Sequence, residues 1–163
     1  MVIARKLKAF LDQEKVTYHV LKHHERYTSQ EIAEALHIHG QMLAKVVMVK
    51  ADGTLRMAVL PADLRVDLDA FARAVGAAGA VLATEAEFRD AFPDCEVGAM
   101  PPFGNLYGVP VVVDGALAAD DEIVFEAGSH HEAIKLAYSD FARLVRPRVE
   151  DIARAVPAGS RSR

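Results

Sequence analysis

A lysine at the start of an apolar run is the first residue whose type and position suggest chemistry. Lys45 follows the apolar residues 42–44 and precedes the apolar residues 46–49. An ammonium group in such surroundings is either the solvent-facing end of a strand or a charge held at the mouth of a pocket. A cation at a pocket mouth attracts anionic substrates and stabilises negative charge that develops during a reaction. From the residues alone both interpretations of Lys45 remain open.

A proline-containing segment later in the chain has a composition suited to the wall of a pocket. Residues 98–105 read Gly-Ala-Met-Pro-Pro-Phe-Gly-Asn. The two prolines fix φ and remove two backbone donors, and the two glycines permit positive φ or a close approach of another group. The segment is therefore a stiff, irregular loop that either lines a small pocket or connects two elements by packing on the core. Its candidate substrate-binding residues are Gly98, Met100, Pro101, Pro102, Phe103, Gly104 and Asn105.

A third segment, Gly128-Ser129-His130-His131, lies between two predicted strands. The adjacent hydroxyl and imidazole suggest a nucleophile and its base, but neighbouring residues in a strand point to opposite faces. The Gly-x-Ser-x-Gly pattern that exposes a nucleophilic serine is also missing from the sequence. The segment is better interpreted as a turn whose serine and amides donate hydrogen bonds.

Composition and missing motifs exclude several other classes of protein. The 163 residues carry 19 Lys+Arg against 23 Asp+Glu, and the net charge of −4 argues against a protein that coats nucleic acid without specificity. A single cysteine excludes an internal disulfide framework, and no His-Glu-x-x-His or P-loop pattern is present. The sequence has no apolar run of about 18 residues and no pattern typical of a signal peptide. We expect a cytoplasmic protein that holds no metal.

Capping and turn signals predict the elements that position these segments. Asp67 can cap a helix over residues 68–75, and Thr84 with Glu87 forms a capping box. Asp52-Gly53 suits the positive φ angles of a tight turn between strands 45–50 and 54–60. Three further helices are predicted. The first lies around residues 3–11, the second runs from the capping box of Thr28 and Glu31 to near Gly40, and the third follows a cap at Ser139. Further predicted strands lie at 16–21, 131–138, and in a hairpin of 109–113 with 122–125 around Asp114-Gly115.

These elements indicate a single domain with strands and helices interleaved. Such an order is typical of a mixed sheet that is covered by helices. The sequence contains no internal repeat and no linker, so we expect one domain over residues 1–155. Residues 156–163 are rich in small and polar residues, and we expect them to form a frayed tail.

Taken together, the motifs resemble the YbaK/ProX family of aminoacyl-tRNA editing deacylases, also called the aminoacyl-tRNA-synthetase-associated domain family. The matching segments are His24-Glu-Arg-Tyr-Thr28, Ala44-Lys45-Val-Val, Gly98-Ala-Met-Pro-Pro102-Phe-Gly104, and Ala127-Gly-Ser-His130 followed by Ile134 and Ser139-Asp140-Phe141. They occur in the family's order over residues 20–145. The lysine and the Gly-x-x-x-Pro element are the most specific of them.

The resemblance implies an α/β (mixed α+β) fold, with a highly twisted, mixed, partly barrel-like sheet of about six or seven strands surrounded by helices. It also implies hydrolysis of the ester that joins a mischarged amino acid to the terminal adenosine of tRNA. In this family the counterpart of Lys45 acts beside the ester or the adjacent phosphate. By the same resemblance, His24, Thr28, Gly128 and Ser129 join the proline-containing loop as substrate-binding residues.

The implied chemistry fits these residue types. Ester hydrolysis needs a positioned water and donors aimed at the developing oxyanion, and Lys45 can orient the 3′ end and polarise the carbonyl group. The base is either His130 or the ribose hydroxyl of the substrate. No metal or organic cofactor is required. A small apolar wall favours a small amino acid such as alanine, serine or cysteine.

The implied partner is the 3′ end of aminoacyl-tRNA, with an aminoacyl-tRNA synthetase as a second candidate. Basic residues at 5–8 and 143–148 either contact the acceptor stem or are simply solvated. An alternative interpretation is a catalytically inactive module that keeps the fold and binds a small amino acid, a nucleotide or a synthetase. Hydrolysis of misacylated tRNA distinguishes the two.

Overall fold

The computed structural model describes residues 4–22 and 43–156. In these ranges the helices are α1 (Arg5–Gln13), α2 (Leu68–Val75), α3 (Glu85–Phe88), α4 (Gly115–Ala118) and α5 (Tyr138–Val145). The strands are β1 (Tyr18–Lys22), β2 (Ala44–Ala51), β3 (Thr54–Pro61), β4 (Leu64–Val66), β5 (Ala80–Leu82), β6 (Val111–Asp114), β7 (Glu122–Ser129), β8 (Glu132–Ala137), β9 (Arg148–Glu150) and β10 (Ala153–Ala155). The predicted helix that begins at Thr28 and the predicted tail beyond residue 156 lie outside the described residues.

The larger sheet has five strands in the order β5-β2-β3-β6-β9. Its centre is the antiparallel hairpin of β2 and β3, in which Asp52 and Gly53 have φ values of 49° and 82°. These positive angles are those of the tight turn that the sequence predicts, so this hairpin is confirmed. On the other side of the hairpin, β3, β6 and β9 run parallel to one another.

A second sheet of three antiparallel strands has the order β1-β8-β7, and β4 pairs with β10 in a small third sheet. A parallel bridge between Leu43 and Val124 joins the two larger sheets. The predicted mixed α+β architecture is confirmed. Six of the ten strands in the described ranges have four or more residues, and the other four have three each. No closed barrel forms among the described strands.

Two of the predicted helix caps are confirmed by the hydrogen bonds at the helix starts. The Asp67 carboxylate accepts a hydrogen bond from the Ala70 amide at 3.0 Å, and α2 follows as predicted. Thr84 and Glu87 form the reciprocal capping box, in which the Thr84 amide donates to the Glu87 carboxylate at 2.8 Å. No helix in the described ranges combines the length and the apolar character needed to cross a membrane.

The main core lies between the larger sheet, the second sheet and helix α1. Leu7 and Leu11 of α1 are fully buried in it. At its centre, the ring of Phe103 lies 5.5 Å from the rings of both Phe125 and Phe141. Aromatic pairs at this separation contribute stabilisation beyond the area that they bury.

The hairpin predicted around Asp114-Gly115 is wrong. The Asp114 carboxylate accepts a hydrogen bond from the Ala116 amide and begins α4, and it also accepts hydrogen bonds from the Ile152 and Ala153 amides. The chain therefore leaves the larger sheet at this point. Strand β7, which follows, pairs with β8 in the second sheet instead of with β6.

The cap predicted at Ser139 is also wrong. Helix α5 begins at Tyr138 and follows β8 directly, with Ala137 as the capping residue and no side-chain cap. The Tyr138 amide, one of the free donors at a helix start, instead donates to the carbonyl of Asp121 at 2.9 Å. The contact with a residue distant in sequence replaces the local cap.

Candidate active site

Lys45 is the second residue of β2, and its side chain is half-buried. Burial lowers the pKa of Lys45 from 10.5 to about 8, because the charged form loses hydration, and the negative charge of Asp63 offsets only part of this effect. At pH 7 the ammonium form still predominates. Lys45 is therefore a partly desolvated cation that titrates close to neutral pH.

The bridge between the two larger sheets brings the lysine strand beside β7. Leu43 and Val124 form a parallel bridge, so β2 and β7 continue from it in the same direction. Lys45 lies two residues beyond the bridge on β2, and Gly128 lies four residues beyond it on β7. The topology thus places the start of the lysine strand beside the strand that ends in the serine-histidine turn.

The proline-containing loop and the serine-histidine turn are held together by main-chain hydrogen bonds. The Gly128 amide donates to the Ala99 carbonyl at 2.8 Å, and the Glu96 amide donates to the Gly128 carbonyl at 2.7 Å. Gly98 has a φ of 86°, and a β-carbon there would lie 3.4 Å from the His130 ring. The structure therefore brings two of the three predicted segments into direct contact.

His130 links the two segments through its ring. Its Nε2 lies 2.8 Å from the carbonyl oxygen of Val97. Because a carbonyl oxygen only accepts hydrogen bonds, Nε2 must carry a hydrogen. The other ring nitrogen, Nδ1, lies 3.7 Å from a carboxylate oxygen of Glu126, and the His130 amide donates to the Glu96 carboxylate at 3.3 Å. Both nitrogens of the ring thus face groups of the protein.

Glu126 and Glu96 are residues of this site that the sequence analysis missed. Burial raises the pKa of Glu126, and the negative charge of Glu96 acts in the same direction, while the attraction of His130 opposes both effects. A carboxylate in the otherwise apolar run 123–127 was the signal in the sequence, since a lone acid on a buried strand is usually paired.

Ala4 packs against the glycine of the turn. The Ala4 amide donates to the Ala127 carbonyl at 2.8 Å, and Gly128 has a φ of 103°. A β-carbon on Gly128 would lie only 2.7 Å from the β-carbon of Ala4. The start of α1 can approach β7 this closely because residue 128 has no side chain.

The residues of the proline-containing loop occupy different environments. Met100, Pro101 and Pro102 are buried, and the Met100 sulfur accepts a hydrogen bond from the Gly98 amide at 3.3 Å. Phe103 lies wholly in the aromatic cluster of the core. Gly104 is buried too, where a β-carbon would lie 2.5 Å from the Val109 carbonyl oxygen. The second half of the loop is thus an anchor in the core.

Asn105 is exposed and belongs to a different part of the surface. Its amide group donates to the Leu144 carbonyl at 3.4 Å, and it lines a cavity together with Arg56. Leu60 is the residue that pairs with Lys45 across the hairpin, and Arg56 lies four positions before it. Arg56 and Leu60 are therefore about 13 Å apart along β3. The structure therefore does not bring Asn105 to the lysine. The predicted binding residues His24 and Thr28 lie outside the described residues.

The serine of the turn and the cysteine of the chain have environments unsuited to nucleophilic attack. Ser129 is buried, and its hydroxyl oxygen accepts a hydrogen bond from the His131 amide at 3.2 Å. Burial raises the pKa of Cys95 to about 12, so its thiol stays neutral. In the described ranges, no three histidine, cysteine or acidic side chains are grouped so that they could hold a metal ion.

Comparison with known proteins gives a consistent result. The model of the aminoacyl-tRNA editing domain family matches residues 23–144. The multifunctional Ser/Thr-tRNA deacylase ProXp-y of Escherichia coli, in strains K12 and O157:H7, is 32% identical over 161 residues, which cover 94% of both chains. The crystal structure of hypothetical protein APE2540 superposes with a TM-score of 0.82 at 19% identity, covering 92% of this chain and all of that one. A protein proposed to be a trans-editing enzyme for prolyl-tRNA synthetase gives a TM-score of 0.79 at 20% identity, covering 93% and 97%.

Proposed function

The chain belongs to the aminoacyl-tRNA editing domain family, and on this premise we propose that it removes serine or threonine from mischarged tRNA by hydrolysing the ester bond. The family match supports the class of reaction. The choice of amino acid is supported by the Ser/Thr-tRNA deacylases, to which the chain is 32% identical over nearly its full length. Serine also lies within the range of small amino acids expected from the apolar loop.

The single observation that carries the proposal is the half-buried Lys45 at the start of β2, beside the strand that ends in the serine-histidine turn. A partly desolvated ammonium interacts more strongly with an anion than an ammonium in bulk water does. The 3′ end of tRNA supplies a phosphate, and ester hydrolysis develops a negative oxygen. Both are anions that this lysine is suited to stabilise.

The reaction that we propose is direct hydrolysis without an enzyme-bound intermediate. The oxygen of a water molecule attacks the ester carbonyl carbon, and Lys45 stabilises the charge on the carbonyl oxygen. The bond from that carbon to the ribose oxygen then breaks, and the ribose oxygen takes up the proton that the attacking water loses. The products are the free amino acid and tRNA with a free terminal hydroxyl group. The buried Ser129 hydroxyl and the neutral Cys95 thiol support a reaction without a protein nucleophile.

We propose that a ribose hydroxyl of the substrate, and not His130, assists the attacking water. The hydrogen bond from Nε2 to Val97 and the approach of Nδ1 to Glu126 give the ring a structural task. His130 then positions the proline-containing loop against the turn. Replacement of His130 by Gln, which keeps a donor for Val97, should preserve more activity than replacement by Ala.

The remaining expectations follow from the same proposal. We propose that Gly98, Met100, Pro101 and Pro102 form one wall of the aminoacyl pocket, and that Gly128 and Ser129 form another through their main chain. We also propose that the protein acts in the cytoplasm on tRNA released by the aminoacyl-tRNA synthetase that mischarged it.

The test is a deacylation assay with tRNA charged with serine, threonine, alanine or cysteine. We expect hydrolysis of the serine or threonine ester, and a loss of roughly 10²- to 10³-fold in rate for Lys45→Ala. Lys50→Ala is the matched control, because Lys50 lies on the same strand but pairs with Glu87. Equal rates for Lys45→Ala and the parent would refute the assignment of the lysine. Binding of charged tRNA without any turnover would instead identify an inactive binding module.

A further inference from the structure

An open cavity of about 500 Å³ lies at the amino-terminal end of β6, where residues 108–112 form part of its lining. Three arginines, Arg56, Arg146 and Arg148, surround it, and the amide of Asn105 adds a neutral donor and acceptor. None of the described residues that line it is acidic. A concave site of this size with convergent charged groups is large enough to hold a small ligand or part of a larger one.

The strand register explains how two of the arginines come together. Ala58 of β3 pairs with Val112 of β6, and Val112 pairs with Arg148 of β9. Paired residues in a sheet point to the same face, and so do residues two positions apart on one strand. Arg56, two positions before Ala58, therefore projects from the same face as Arg148. The central strand β6 separates them by two strand spacings, or about 10 Å.

The third arginine enters from the end of a helix. Arg146 is the residue after α5 and has a φ of 52°, a left-handed conformation that ends the helix and turns the chain towards β9. Its side chain is exposed. The three arginines thus come from three separate elements, β3, β9 and the end of α5.

The positive charge of this cavity is only partly compensated. Arg148 pairs with Glu150 at 2.8 Å. The Nε atom of Arg56, by contrast, is buried and has no hydrogen-bond partner among the described residues. A buried donor of a charged group without a partner is costly, and a bound anion would remove that cost. Arginine is the side chain best suited to this task, since its planar fork of donors matches two oxygens of a phosphate.

We propose that this arginine cavity binds a phosphate group, supplied by the backbone of tRNA or by a free phosphorylated small molecule. The inference is independent of the proposed hydrolysis, because Arg56 in the cavity lies about 13 Å along β3 from Leu60, the residue that pairs with Lys45. With tRNA, the arginines would hold the substrate at a point away from the ester. With a free phosphate compound, the cavity would be a separate ligand site on the same domain.

The first arm of the test uses inorganic phosphate and pyrophosphate, with sodium chloride at matched ionic strength as the reference. A ligand that binds only the folded state raises the unfolding temperature. We expect such a rise for the parent protein and a loss of roughly 10- to 100-fold in affinity for Arg56→Gln and Arg148→Gln. Arg148 is exposed, so its replacement does not endanger the fold. Arg89→Gln is the matched control, because it removes the same charge from an exposed position outside the cavity.

The second arm measures the binding of uncharged tRNA, which contains no ester to hydrolyse, at several salt concentrations. If the cavity holds a backbone phosphate, Arg56→Gln and Arg148→Gln should reduce the slope of log K against log salt by about 0.7 to 0.9 for each phosphate that the variant no longer neutralises. Weaker binding in this arm identifies tRNA as the source, and weaker binding only in the first arm identifies a small molecule. If neither variant differs from Arg89→Gln in either arm, the proposal is wrong. Failure of the proposed hydrolysis is seen separately, as an unchanged ester in the deacylation assay.

Discussion

Replacement of Lys45 by methionine should make the protein more stable while removing its activity. Burial lowers the pKa of Lys45 from 10.5 to about 8, so holding the charged amine in the folded protein carries an unfavourable free energy, which the partial exposure of the side chain reduces. Methionine has a similar length and carries no charge. We therefore expect the free energy of unfolding to increase by about 1–2 kcal/mol at pH 7, less than the full shift corresponds to, because solvent screens the half-exposed amine. Urea denaturation of the parent and of Lys45→Met measures this difference.

The pH dependence provides a sharper form of the same prediction. Between pH 8 and pH 10.5 the unfolded chain keeps its proton on Lys45 while the folded protein has lost it, so the destabilisation that the lysine causes at pH 7 decreases as the pH rises. The advantage of Lys45→Met should therefore shrink across this window and vanish near its upper end. Other groups that titrate there are common to both proteins and cancel in the difference.

The control for this experiment is Lys50→Met on the same strand. Lys50 forms an ion pair with Glu87, and Lys50→Met should not show the gain at pH 7, because the substitution removes that pair. The reasoning fails if Lys45→Met is less stable than the parent at pH 7. It fails equally if the difference between the two proteins is constant with pH, because burial of the charge would then not be its cause.

Three further substitutions probe the elements that support the site. Gly128→Ala should lower both stability and deacylation, because the new β-carbon would lie 2.7 Å from the β-carbon of Ala4. Thermal unfolding measures the first effect and the ester assay the second. An unchanged unfolding temperature would contradict the close approach. Asp67→Ala should cost about 1 kcal/mol in urea denaturation, since the Ala70 amide loses its cap, and a loss near zero would show that water replaces it. Phe103→Ala should cost about 3–5 kcal/mol by the same measurement, and a cost below about 1 kcal/mol would mean that the aromatic cluster closes over the cavity.

The parts of the fold that could be predicted from the sequence are those set by neighbouring residues. Asp52-Gly53 imposes positive φ angles, and Asp67 supplies a cap three residues from its partner, so both signals act within one turn. Asp114 shows the limit of such signals. The same Asp-Gly pair begins a helix here, because the Asp114 carboxylate is also held by amides 38 and 39 positions away. No local pattern contains that information.

The candidate site divides in a similar way. The contact between the proline-containing loop and the serine-histidine turn was expected only from the resemblance to a family, and the structure shows the hydrogen bonds that make it. Sequence reasoning made His130 one of two candidate bases and did not identify Val97 and Glu126 beside it, because a sequence does not show which groups the ring nitrogens contact. The positions of Phe103 and Asn105 depended on which side of the loop faces the core, and composition does not determine that.

If the proline-containing loop lines the aminoacyl pocket as proposed, its anchoring has a consequence for how the preference among amino acids can change. Phe103 is continuous with the loop and also contacts the rings of Phe125 and Phe141. A substitution that moves the loop at Phe103 also disturbs the packing of these rings in the core. On that proposal, a new selectivity would require compensating changes in the buried rings of Phe125 and Phe141, so that selectivity and stability would evolve together.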